Sequence, residues 1–149
     1  MSETATFEFT LAPDALAGFL SALAAHLEQV GVGADAVVDG DLAAPLRRRF
    51  ADLRAGRRRE ECVTLAFPGD AALAAFAGEY PESCSRRAGH VAVGCFWVFC
   101  GPADDDLVVS FVSATRSIAQ LMLESPSVRA VFESLAGHAR DGQMRLVRE

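Results

Sequence analysis

Val91–Cys100 reads VAVGCFWVFC, followed by GPADDD at Gly101–Asp106 and LVVSFV at Leu107–Val112. The first run is apolar on both faces, and too short, β-branched and aromatic for a buried helix, which suits a central strand. Pro102 and three consecutive Asp make a turn, so Leu107–Val112 is the returning strand of an antiparallel pair.

Working upstream, Cys62–Phe67 reads as another strand. Pro68-Gly69-Asp70 turns it into a helix, with Asp70 as the cap and Leu73, Phe76, Ala77 and Tyr80 on the apolar face. Pro81–Gly89 reads as a loop. Downstream, Ser113 or Thr115 can cap a helix carrying Ile118, Leu121 and Met122. Ser125-Pro126 restarts it with Val128, Val131, Phe132 and Leu135 as a second apolar face up to Gly137, and Gln143–Arg148 alternates like an edge strand. The order from Cys62 is β-α-β-β-α-β. It predicts an α+β fold with a ferredoxin-like βαββαβ core over about residues 61–148.

The N-terminal part extends that core. Thr4–Leu11 places Phe7, Phe9 and Leu11 on one side and Glu8 and Thr10 on the other, the period of a half-buried strand. Leu16, Phe19, Leu20, Leu23, Leu27 and Val30 then recur at helical spacing and predict one helix running to Gly31. Val32–Ala44 reads as a loop with a short extended piece at Ala36–Val38. Pro45 opens a short basic helix with Leu46, Phe50 and Leu53 inward and Gly56 as its end. At 149 residues the chain reads as one domain, 1–149, able to bury roughly 70% of its unfolded surface without staples.

Charge is the most polarised property of the sequence. Arg47–Arg59, RRRFADLRAGRRR, sets seven Arg against one Asp, or +6, whereas the rest sets seven Arg against 19 carboxylates, or −12. Arg47, Arg48, Arg54, Arg57, Arg58 and Arg59 are therefore the candidate residues for binding a partner or anion, since guanidinium forks onto carboxylate and phosphate. The competing reading is a solvated helix face tied to Asp52, Glu60 and Glu61. A net charge of −6 opposes nucleic acid at long range. The chain contains no Lys, which removes Schiff-base chemistry, pyridoxal attachment and the P-loop lysine. No cofactor is expected.

Other motifs weigh less. Gly31-Val-Gly33-Ala-Asp-Ala36 matches a loose dinucleotide pattern but follows a helical period where that pattern needs a strand. Asp39-Gly-Asp41 and Asp104–Asp106 lack calcium-loop spacing and suit turns. Cys84, His90, Cys95 and Cys100 are spaced too widely for zinc. Cys84 beside Arg86 and Arg87 is the one candidate nucleophile, with His90 as its base. His26 and His138 read as packing or capping residues. MSETATFEF has no positive start, and His26 and Glu28 interrupt the apolar stretch that follows, so a cytoplasmic protein with reduced thiols and no membrane segment is expected.

The leading expectation is a non-catalytic interaction domain that docks another protein of complementary charge, by the physics of a small acidic inhibitor or immunity-type protein. The alternatives are a ferredoxin-like regulatory domain that binds a small anion at the Arg segment and forms a homodimer, and an enzyme built on Cys84 and His90.

Overall fold

The computed structural model describes residues 4–30, 44–50 and 59–148. In chain order the elements are β1 (Ala5–Leu11), α1 (Leu16–Ala24), β2 (Leu27–Val30), α2 (Ala44–Phe50), β3 (Arg59–Pro68) and α3 (Ala71–Glu79). They continue with β4 (Cys84–Arg87), β5 (His90–Ala103), β6 (Asp106–Ser113), α4 (Arg116–Glu124), α5 (Pro126–Ser134) and β7 (Arg145–Arg148). The α+β class is as expected.

All seven strands among the described residues join one antiparallel sheet in the order β2-β3-β5-β6-β1-β7, with β4 paired to β5 off that path. This order corrects the ferredoxin-like expectation. A split βαβ core separates the two strands joined by a crossover helix, but β3 and β5 are direct antiparallel neighbours. The sheet is also larger, because β1 inserts between β6 and β7 and β2 adds to the edge of β3. Element order carries no information about which strand a returning strand will choose.

Two local expectations change for identifiable reasons. The apolar run Leu16–Val30 is helical only to Ala24; a turn at Ala25 and His26 releases Leu27–Val30 to pair with β3. Leu27 faces the core in either conformation, so the helical period continues by coincidence into a strand. Pro81–Gly89 is not a plain loop: after a single 3₁₀ turn at Pro81–Ser83, β4 forms a hairpin with β5. Its two-residue turn has Ala88 at φ 41° and Gly89 at φ 84°, the doubly positive pattern of a type I′ turn, which matches strand twist. The extended piece at Ala36–Val38 lies outside the described residues, as do Leu53 and Gly56 at the end of the basic helix.

The core lies on one face of the sheet. Phe7, Phe9 and Leu11 of β1, Val109 and Phe111 of β6, Val93, Phe96 and Val98 of β5 and Val63, Leu65 and Phe67 of β3 are all buried there. Every described α-helix adds side chains to the same cluster: Phe19 and Leu23 from α1, Leu46 and Phe50 from α2, Leu73 from α3, Ile118 and Met122 from α4, and Val128 and Phe132 from α5. Phe132 is its hub, with ring centroids 4.8 Å from Phe7, 5.0 Å from Phe111, 5.7 Å from Phe96 and 6.1 Å from Phe67.

Capping follows the sequence closely. Asp70 Oδ1 accepts from the Leu73 N–H at 2.8 Å, Thr115 Oγ1 from the Ile118 N–H at 3.2 Å and Ser125 Oγ from the Val128 N–H at 3.1 Å. No helix among the described residues is long and apolar enough to cross a membrane.

Candidate functional site

Strand alternation leaves the second face of the sheet outside the core. Register places Val147, Thr6, Val112, Trp97 and Cys62 in one row across β7, β1, β6, β5 and β3. Beside it run Arg145, Glu8, Ser110 and Phe99, and then Thr10, Val108 and Gly101. Trp97 is 38% exposed, the one large hydrophobic side chain in the open among the described residues. Phe99, Val108 and Val112 are half-buried on the same face, Val112 directly opposite Trp97. Together with Thr6, Glu8 and Ser110 they line a shallow groove of about 360 Å³.

VAVGCFWVFC is the central strand it reads as, paired with β3 and β6, but from Phe96 onward its two apolar faces differ. Phe96, Val98 and Cys100 are fully buried, whereas Trp97 and Phe99 point the other way. The signal that could have revealed it lies in the neighbouring strands. Glu8 and Thr10 of β1 and Ser110 of β6 share the face with Trp97 and Phe99, and polar residues at every second position mark a wet face.

Acidic groups border the groove. Glu8 lies within it, and Asp104 and Asp105 stand exposed on the β5–β6 turn, where Asp104 has φ 55°. Asp106 is engaged: Arg140 donates from Nε at 2.8 and 3.0 Å and approaches with Nη2 at 2.7 Å. That bonding holds the Asp106 carboxyl below its ordinary range and raises Arg140. The Asp104–Asp106 turn thus serves the hairpin and one ion pair.

The described residues include only part of the Arg candidates. Arg47 is half-buried on α2, whose Leu46 and Phe50 enter the core. The Arg59 backbone opens β3 opposite Cys100. The side chains of Arg48 and Arg59, and Arg54, Arg57 and Arg58 altogether, lie outside the described residues, as do both Gly31–Ala36 and Asp39–Asp41 apart from any structural test.

Cys84 and His90 are held apart. Cys84 pairs with Val93 while His90 pairs with Arg87, so they stand three register steps apart along the hairpin, roughly 10 Å at strand rise. Cys84 Sγ donates to the Tyr80 carbonyl at 3.4 Å. Burial, aided by Glu82, pushes this thiol up against the opposing pull of Arg86, the reverse of what a nucleophile needs. Burial likewise pushes Cys100 up to about 12.

The expectation of four reduced thiols is also corrected. Cys84 and Cys100 are free, but Cys62 is disulfide-bonded. The β3–β5 pairing brings cysteines far apart in sequence onto neighbouring strands, and linear spacing gives no hint of it. His138 packs edge-on against Phe19 at 6.5 Å, as a packing residue would. His26 is half-buried, and burial together with the charge of His90 lowers its pKa.

One polar network was visible in sequence only as a helix cap. Asp70 Oδ2 accepts from Ser125 Oγ at 2.7 Å and from the Ser127 N–H at 3.0 Å, while Ser127 Oγ donates to the Pro68 carbonyl at 2.5 Å. A single carboxylate therefore joins the starts of α3 and α5. Burial alone would raise its pKa, but the Ser125 hydroxyl and the N–H groups of Leu73, Ser127 and Ala72 outweigh that and bring it below the ordinary range. No protein-family model, curated protein or solved structure matches this chain.

Proposed function

We propose that this protein is a non-catalytic interaction domain, and that it docks a cationic partner protein on the open face of its sheet around Trp97. The observation that carries the reading is the exposure of Trp97 on the same sheet face as a groove lined by Phe99, Val108, Val112 and Glu8. Tryptophan supplies a large contact area at small entropic cost and attracts guanidinium and ammonium groups to its ring face. The acidic surplus outside Arg47–Arg59, −12, supplies the long-range field that would orient such a partner and speed its approach. An acidic inhibitor or immunity-type protein acting on a basic target fits this physics. The Arg segment, Arg47, Arg48, Arg54, Arg57, Arg58 and Arg59, then serves as the opposite pole that fixes orientation.

The test is affinity capture from cells of the source organism, followed by binding measurements with the captured partner made pure. Its association rate should fall steeply between 50 and 500 mM salt, and Trp97→Ala should weaken binding at least tenfold while leaving the fold intact. A partner indifferent to both salt and Trp97, or no partner at all, overturns the reading.

A further inference from the structure

A second concavity lies away from the open face, between the first turn of α3 and the β4–β5 turn. It is a cleft of about 480 Å³ walled by Asp70, Ala71 and Ala74 on one side and by Arg86, His90 and Val91 on the other. Its volume falls within the range of small-ligand sites, and its floor is largely methyl groups. The walls are tied together before any ligand arrives. The Gly69 N–H donates to the Gly89 carbonyl at 2.9 Å, and Arg86 Nη2 reaches across to the Ala74 carbonyl at 3.4 Å. The Gly69–Gly89 approach is close, since a Cβ built on Gly69 would stand 3.3 Å from that carbonyl oxygen.

The charges in the cleft are unequally engaged. Asp70 is the one carboxylate in the lining, and both of its oxygens are occupied by Leu73, Ser125 and Ser127. Arg86 is exposed and, among the described residues, its guanidinium contacts only the long-bonded Ala74 carbonyl and no acid. His90 pairs with Arg87 and Arg86 with Val91, so strand alternation turns the His90 side chain to the other face of the hairpin and leaves Arg86 as the cation of the cleft. Because Asp70 already caps α3, recognition of charge falls to Arg86 and not to the helix end.

We propose that this cleft binds a small organic anion, a carboxylate or phosphate monoester carrying a short apolar body. The anionic group would be forked by Arg86, and the apolar body would lie against Ala71, Ala74 and Val91. The inference concerns a surface separate from Trp97 and does not depend on the docking reading.

The test is a titration of the full chain, followed by amide NMR, with phenyl phosphate, benzoate and inorganic phosphate. Phenyl phosphate or benzoate should produce saturable shifts confined to residues 69–74 and 86–91, with inorganic phosphate at least fivefold weaker for want of an apolar body. Arg86→Ala should weaken binding at least fivefold and Arg86→Lys by less, since it keeps the charge and loses only the fork. Trp97→Ala should leave this binding unchanged, which separates failure here from failure of the docking reading. Absent or unsaturable shifts, shifts spread over the surface, or affinity indifferent to Arg86→Ala would overturn the proposal.

Discussion

Asp70 does the work of three residues. One oxygen holds the first turn of α3 and the other holds Ser125 and Ser127 at the start of α5, so two helices 55 residues apart share an anion. Asp70→Asn keeps the shape but loses the charge on all three bonds. It should destabilise the protein by about 2 kcal/mol, read as a lower urea midpoint at unchanged slope. The pH dependence has a definite sign. The folded-state pKa of Asp70 is depressed, so its contribution is fully present above the ordinary carboxylate range, near pH 4, and is lost as pH falls through the folded value. The difference between the wild type and Asp70→Asn should therefore shrink as the pH is lowered into that range. The Asp-x-x cap was legible in Gly69-Asp70 before the helical period. The link to Ser125 and Ser127 was not, because only the packing of α3 beside α4 and α5 reveals it.

At the scale of elements, local chemistry and long-range pairing compete. The strands β1, β3, β5 and β6 and the helices α3, α4 and α5 were legible because period, caps and turn residues agree there. β2 was hidden by a helical period that ran on past His26, and β4 by the Pro and polar residues of Pro81–Arg87. Both are short strands whose conformation is imposed by a longer neighbour. The β4–β5 turn still carries a local conflict, since Ala88 sits at φ 41° where its Cβ is disfavoured. Ala88→Asn would give the Asn-Gly pair that type I′ turns prefer. It should raise stability by about 0.5–1 kcal/mol, seen as a Tm higher by a few degrees. An unchanged or lower Tm would show that the turn is strained for another reason.

In the whole molecule, a single aromatic hub couples sheet to helices. Phe132 touches rings from β1, β3, β5 and β6, so it meets four strands at once. Phe132→Ala should cost about 3–5 kcal/mol, a large share of the stability of an ordinary domain, and calorimetry should show a collapsed or absent transition. Phe132→Leu, which fills more of the space, should recover part of it. The candidate site was less legible than the fold. Trp97 sits inside an apolar run, and its exposure depends on which strands flank β5 and on where their polar residues fall in register.

The placement of β1 has a consequence for synthesis. Its two partners, β6 and β7, begin 95 or more residues after it ends, so a growing chain emerges from the ribosome with Phe7 and Phe9 on a strand that has nothing to pair with. Until β6 has been translated, that segment depends on chaperones or on its own polar alternate positions to avoid strangers. Moving it to follow β7 through a short connector would let β1 meet both neighbours as soon as it is made.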